Sequence, residues 1–252
     1  MAGVPDKNGR QDLPDMPQIR HGRAASALAV AFVLTTALFL GAPGLDLWAS
    51  SLFFDPPGGG FWLQEDPAAK AVRSLVWNLS IVALLVALVG LCGGLLLRRP
   101  IGGVPTRAWG FILALYVLAP GIIVNLILKA YWGRARPSDV VEFGGALDFT
   151  PAGVIARQCA ANCSFTSGEG ASAAALAVSA LLVLHYLRPR LPVWVRRLWV
   201  ALALLLPIAG AAQRVATGRH FLSDTVFSVL IVFAVALALH WLFGRHKAAP
   251  RG

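Results

Sequence analysis

Charge is what this sequence has least of. Only 13% of its 252 residues are Asp, Glu, Lys or Arg, against about 25% in an ordinary soluble domain. Long stretches carry no charge at all, and 57% of the residues are hydrophobic. A soluble domain scatters its apolar residues at helical or strand period, whereas blocks of them belong to a bilayer. Cysteine is also sparse, at three residues, which excludes a disulfide scaffold. No spacing of Cys or His resembles a zinc site. Cys92 lies within an apolar run and reads as a small buried hydrophobe. Internal repeats of solenoid type are absent as well. The first apolar run lacks a small-residue cleavage site, so it reads as a retained signal anchor.

Acidic residues are the rarer sign, 12 against 22 basic ones, for a net charge of +10. In a soluble protein that excess would suggest nucleic acid as a partner. Basic loops on the cytoplasmic side of a membrane protein produce the same figure, so no nucleic-acid partner is expected. Residues 1–23 are polar and rich in Pro and Gly, and read as a disordered cytoplasmic tail, with a second tail at 245–252.

What the chain does contain is six uncharged runs: 24–42, 74–97, 108–128, 170–187, 198–213 and 225–244. About 20 helical residues cross a hydrocarbon layer. The fifth run is short, but Val193–Val195 extend it if Arg196 and Arg197 snorkel. The expected fold is all-α, a polytopic bundle of six transmembrane helices over 24–244. Arg20 and Arg23, Arg98, Arg99 and Arg107, Arg188, Arg190, Arg196 and Arg197, then Arg245 and Lys247 all fall on one side of such a bundle. The positive-inside rule makes that side cytoplasmic, together with both termini. The outer segments are 45–73, 129–169 and 214–224. The first holds Asp46, Asp55, Glu65 and Asp66 with five aromatic residues, and is expected to lie along the membrane interface.

Three outer segments carry chemistry: Lys129-Ala-Tyr-Trp-Gly-Arg134-Ala-Arg136-Pro137, Cys163-Ser164-Phe165-Thr166-Ser167-Gly168-Glu169, and Arg214 through Arg219-His220 to Asp224. A phosphate site needs dense positive charge and backbone donors. Lys129, Arg136 and Arg214 supply the charge, and arginine grips phosphate with parallel hydrogen bonds. Ser167 and Gly168 stand at a helix N-terminus, which offers free N–H groups. His220 and Asp224 are four apart at a helix start, on one face. The carboxylate is expected to accept from one imidazole nitrogen and leave the other free to attack. Arg219 beside it favours the neutral ring. His185 and His240 read as residues of cytoplasmic helix ends, and His21 and His246 carry no signal.

The series Lys-X6-Arg-Pro, a Ser-Gly element, then Arg-X5-His-X3-Asp resembles the type 2 phosphatidic acid phosphatases, of the superfamily shared with vanadium haloperoxidases. The resemblance implies that Lys129, Arg136, Ser167, Gly168 and Arg214 bind phosphate oxygens, that His220 forms a phosphohistidine, and that Asp224 orients His220. It implies no metal and no cofactor. It further implies a bacterial inner-membrane enzyme with a periplasmic site that removes phosphate from a lipid. Phosphatidic acid, phosphatidylglycerol phosphate, a prenyl diphosphate and lipid A are the candidate substrates. Transfer of the phosphoryl group to a second lipid, and binding or translocation of a phospholipid without turnover, remain as alternatives.

Two positions depart from the family. Gln213 stands where Ser is usual. Glu169 stands where a histidine would protonate the leaving group, and is open to two readings: a carboxyl group that donates the proton, or a replacement for a dispensable one. Cys159 and Cys163, four apart on the outer side, are a candidate disulfide that would brace the Ser167 loop.

Overall fold

Six helices long and apolar enough to cross a membrane make up most of the structure, a computed structural model that describes residues 15–160 and 162–245. The first is α1 (His21–Gly41), followed by a short α2 (Gly44–Ser51). Then come α3 (Pro67–Leu97), α4 (Thr106–Tyr131), α5 (Gly168–Leu187), α6 (Val193–Ala216) and α7 (Leu222–Arg245). The six expected spans are these helices, with ends that run past the apolar stretches. Thus α3 starts at Pro67 and carries Lys70 and Arg73 in its first turns. Its start is encoded locally: Asp66 accepts a hydrogen bond from the Ala69 N–H at 2.7 Å, and Pro67 fills the first helical position.

The helices pack around α5, the most enclosed of the six. Its sequence explains this position. Gly168, Gly170, Ala171, Ser172, Ala173, Ala174, Ala175 and Ala177 are all buried, and small residues let neighbouring helices approach closely. Helices α1 and α3 instead present Val30, Val33, Leu34, Val82, Leu85 and Val89 outward, as lipid-facing surfaces do. Cys92 is exposed on α3. The expectation of burial is therefore corrected: its run is apolar because it faces lipid, not because it faces the core.

Within α4, Pro120 has no N–H to donate, and Val117–Leu128 winds as a π-helix around it. Asn125 Nδ2 donates to the Pro120 carbonyl at 2.7 Å. This keeps α4 continuous up to Lys129, where the outer segment begins.

The outer connections are folded onto the bundle. A hairpin of β1 (Phe54–Asp55) and β2 (Gly60–Phe61) sets Phe54 opposite Phe61. Both rings pack on Phe143, at centroid distances of 5.2 and 5.3 Å. Phe221, Val140 and Ala135 complete that cluster. The first outer segment thus differs in part from expectation: its phenylalanines fold inward over the long 129–169 connection, while Trp48 and Trp62 stay exposed.

Part of the expected N-terminal tail is packed rather than free. Met16 is buried, Arg107 Nη2 lies 3.1 Å from Asp15 Oδ1, and His240 Nε2 lies 2.8 Å from the Pro17 carbonyl. His21 Nε2 meets His240 Nδ1 at 2.9 Å, and His185 Nε2 meets the Asp15 carbonyl at 3.0 Å. These histidines fasten the chain to helix ends far from the outer segments. Residues 1–14 and 246–252, with His246 and Lys247, lie outside the described residues.

Candidate active site

Helix α6 ends at Ala216, and the chain must reverse to start α7 at Leu222. Gly218 makes the turn at φ +65°, and a Cβ there would collide with the Phe61 ring. The Arg219 and His220 N–H groups both donate to the Arg214 carbonyl, at 3.1 and 3.2 Å. The spacing from Arg214 to His220 is therefore the length of one helix end plus one glycine turn. Asp224 is the third residue of α7, and its Oδ2 accepts from the Phe221 N–H at 2.8 Å. A carboxylate that reaches back to the first free N–H is half of a capping box.

His220 is completely buried. Its Nδ1 does not bond to Asp224, whose Oδ2 is 3.8 Å away. It lies instead 2.7 Å from the Ser164 carbonyl. A carbonyl only accepts, so Nδ1 carries the proton and Nε2 keeps its lone pair. The expected imidazole–carboxylate hydrogen bond is thus replaced by a relay. Asp224 Oδ2 accepts from Ser164 Oγ at 2.5 Å, and the Ser164 backbone holds the ring. The reason is geometric: Oδ2 is already engaged by Phe221 and Ser164, and Oδ1 accepts from Arg134 Nη1 at 2.6 Å.

Arg134 is the buried hub behind the nucleophile. Besides Asp224, it donates to Ser223 Oγ at 2.9 Å, to Asp46 Oδ2 at 2.8 Å and to the Thr150 carbonyl at 2.7 Å. Its guanidinium lies 4.3 Å from the centroid of the Phe221 ring. Asp46 on α2 also accepts from the Ser223 N–H at 2.8 Å and Ser223 Oγ at 2.6 Å. Burial pushes the Asp46 carboxyl above its usual value while the Arg134 charge pulls it down. Sequence reasoning gave roles to neither Asp46, Arg134, Ser164 nor Ser223. Only Arg134 left a trace, as a charge inside the first motif that no phosphate role accounted for.

A polar cavity of about 400 Å³ is lined by Lys129, Arg136, Glu169 and Arg214, with Asn162 and Gln213 among the other walls; His220 does not line it and is reached from it through Glu169. The three expected phosphate-binding cations are thus brought together. Asn162 joins two of them: Lys129 Nζ donates to its Oδ1 at 3.1 Å, and Arg136 Nη2 to its carbonyl at 2.8 Å. Asn162 lies in the loop between Cys159 and Cys163, which are joined by a disulfide with Cα atoms 5.6 Å apart.

Ser167 and Gly168 stand at the start of α5 but do not line that cavity. Ser167 Oγ accepts from the Gly170 N–H at 3.1 Å and so caps α5. Gly168 passes so close to Asn125 that a Cβ would come within 2.6 Å of its Oδ1.

Glu169 lies between the cavity and the nucleophile. Its Oε2 is 3.8 Å from His220 Nε2, while Oε1 is 3.7 Å from Arg214 Nη2 and 3.3 Å from Arg73 Nε. Three buried atoms here have no hydrogen-bond partner: His220 Nε2, Arg214 Nε and Gln213 Oε1. A lone pair, a cationic donor and an amide acceptor, left unsatisfied together, describe a place where a ligand completes the bonding. No group of His, Cys, Asp or Glu among the described residues is arranged to hold a metal ion.

The chain is similar to known proteins in sequence and in fold. The profile of the PAP2 superfamily matches residues 109–248. A lipid A 4'-phosphatase from Rhizobium leguminosarum is 36% identical over 221 residues, covering 81% of this chain and 90% of its own. One named likewise from Francisella tularensis subsp. novicida is 32% identical over 142 residues, 56% of this chain and 60% of its own. In fold, the chain is similar to a crystal structure of a transmembrane PAP2-type phosphatidylglycerolphosphate phosphatase from Bacillus subtilis. The TM-score is 0.53 at 20% identity, over 90% of this chain and 98% of that one.

Proposed function

The chain belongs to the PAP2 superfamily and is a membrane lipid phosphate phosphatase; on that premise we propose that it works through a phosphohistidine on His220, at the non-cytoplasmic face of a bacterial inner membrane. The observation that carries this reading is His220 itself. Its Nδ1 proton is held by the Ser164 carbonyl at 2.7 Å, and its Nε2 is unpartnered beside Arg214 and Glu169. An imidazole fixed in that tautomer presents the Nε2 lone pair as a nucleophile.

Lys129, Arg136 and Arg214 hold the phosphoryl oxygens and offset the charge that grows on them. The Nε2 lone pair attacks phosphorus, the bond from phosphorus to the lipid oxygen breaks, and that oxygen takes a proton from Glu169. A water then attacks the phosphohistidine and passes its proton back to Glu169. The P–N bond breaks, and inorganic phosphate leaves with His220 neutral again. Glu169 is the counter-ion of Arg73 and Arg214 while the site is empty. A phosphate between those groups takes over their charges, and its own charge favours the protonated carboxyl beside it.

Lipid A is the substrate class that the named relatives support, and a polar cavity of about 400 Å³ has the size of a small-molecule headgroup site. The periplasmic placement draws on the arginines at the opposite helix ends. Phosphate release from a panel of lipid phosphates tests the activity, with His220→Ala and Glu169→His in parallel. Radiolabelled substrate quenched within one turnover should leave a base-stable, acid-labile phosphoryl group on the protein. Undiminished release by His220→Ala would overturn the phosphohistidine.

A further inference from the structure

The cavity holds more positive charge than one phosphate can use. Its walls carry Lys70, Arg73 and Arg219 beyond the three cations already described, against the carboxylates of Glu65 and Glu169. Six cations against two anions leave an excess of four positive charges. A phosphomonoester brings only about −1.5 to −2 near neutral pH. Roughly two positive charges therefore stay unbalanced when a single phosphate is bound.

The excess lies at the open end. Arg214 and Glu169 are deep, with side chains 8% and 13% exposed, whereas Lys70 and Arg73 are 56% and 54% exposed. Arg73 links the two levels through Glu169 Oε1. Lys70 is paired 2.6 Å from Glu65, itself a surface group. Arg219 has no carboxylate within ion-pair distance among the described residues. Arg136 and Arg219 line the same cavity, and burial, then the Arg219 charge, lowers the pKa of Arg136. Like charges this close are unfavourable until an anion joins them.

We propose that Lys70, Arg73 and Arg219 form a second anion subsite at the mouth of the cavity, which selects lipids whose headgroup bears another anionic group besides the phosphate that is cleaved. This rests on the lipid phosphatase reading above and names what its site selects. The second anion is either the other phosphate of a diphosphate or a phosphate elsewhere on a sugar headgroup. Both present the same chemistry to the mouth of the site.

The test is binding without turnover, on full-length His220→Ala protein in detergent micelles. Two matched pairs serve as probes: prenyl diphosphate with prenyl monophosphate, and a glucosamine disaccharide lipid with two phosphates and with one. In at least one pair the doubly charged lipid should bind about tenfold tighter, roughly 1.4 kcal/mol. The pair that shows the preference identifies the source of the second anion. Lys70→Gln combined with Arg219→Gln should erase the preference, by weakening the doubly charged lipid several-fold more than its monophosphate partner. Equal affinity within both pairs, or a preference that survives the double substitution, overturns the subsite. Phosphate release by the wild-type protein is recorded separately: its failure counts against the enzymatic reading, and the binding ratio still decides the subsite.

Discussion

Asp46 and Arg134 meet at 2.8 Å, with side chains 1% and 0% exposed, and so tie α2 to the first motif directly behind the nucleophile. Breaking a wholly isolated buried pair costs about 3–5 kcal/mol, and losing Asp46 costs less than that, because Arg134 keeps Asp224 at 2.6 Å while the Ser223 N–H and hydroxyl lose their acceptor. Asp46→Ala should therefore lower the thermal midpoint in detergent. Asp46→Asn keeps an acceptor for the Ser223 N–H and should cost less. In protein that still folds, kcat should fall while KM holds, since Asp46 touches no substrate. A loss confined to KM would contradict this placement.

The relay from Asp224 through Ser164 separates two accounts of how His220 is held. If Asp224 gripped the ring directly, Ser164→Ala would be silent. With Asp224 Oδ2 at 3.8 Å from Nδ1 and Ser164 Oγ at 2.5 Å from Asp224, loss of the hydroxyl should loosen the carbonyl that positions the imidazole. A hydrogen bond to a charged group contributes about 1.5–3 kcal/mol, so kcat should drop roughly tenfold to a hundredfold with KM unchanged. Asp224→Asn should be worse, because it also weakens the Arg134 pair. Steady-state kinetics of the two variants, with Ser164→Thr as the conservative rescue, decides between the accounts.

Much of this was legible in the sequence. Six apolar runs became six helices; Lys129, Arg136 and Arg214 were placed together from the motifs and the expected topology, and Glu169 joined them through the family resemblance. Spacing works here because each motif is a local device: a helix end, a glycine turn at Gly218, a cap at Ser167. The network behind His220 was not legible. Asp46 and Arg134 are 88 positions apart, and nothing local to either signals its partner. The direct bond from Asp224 to His220 was expected from the spacing of four. That spacing shares a face but cannot reveal that capping Phe221 already occupies the oxygen. Cys92 misled for another reason: an apolar run has the same composition whether it faces protein or lipid.

The loop from Cys159 to Cys163 should matter through Asn162. That one residue receives hydrogen bonds from both Lys129 and Arg136. Asn162→Ala removes the Oδ1 that anchors Lys129 and leaves the backbone carbonyl that Arg136 uses, so KM should rise by about tenfold through Lys129 alone, with a smaller change in kcat. Cys163→Ala, or reductant on the wild type, should move KM in the same direction. Titration of free thiols in denatured, unreduced protein checks the bridge itself. One thiol per chain, from Cys92, is the expected count, and three would remove the bridge from the explanation.

Glu169 stands in the path of the reaction, and its two proposed duties predict different behaviour. His220 Nε2 has almost no exposed surface, and Glu169 Oε2 is 3.8 Å from it. A phosphoryl group reaches the nitrogen only when that carboxyl group turns aside from Nε2. Glu169→Gln removes the negative charge from the cradle, so inorganic phosphate should inhibit this variant at lower concentration than it does the wild type. The amide cannot supply a proton, so kcat for alkyl phosphates, whose leaving oxygen is strongly basic, should fall by about 10²–10⁴. Diphosphates leave without that help and should lose far less. A uniform loss across both leaving groups would assign Glu169 to packing and charge balance, whereas the split by leaving group is what a proton donor requires. Glu169→His carries the proton on a different group, and activity on alkyl phosphates should return with it.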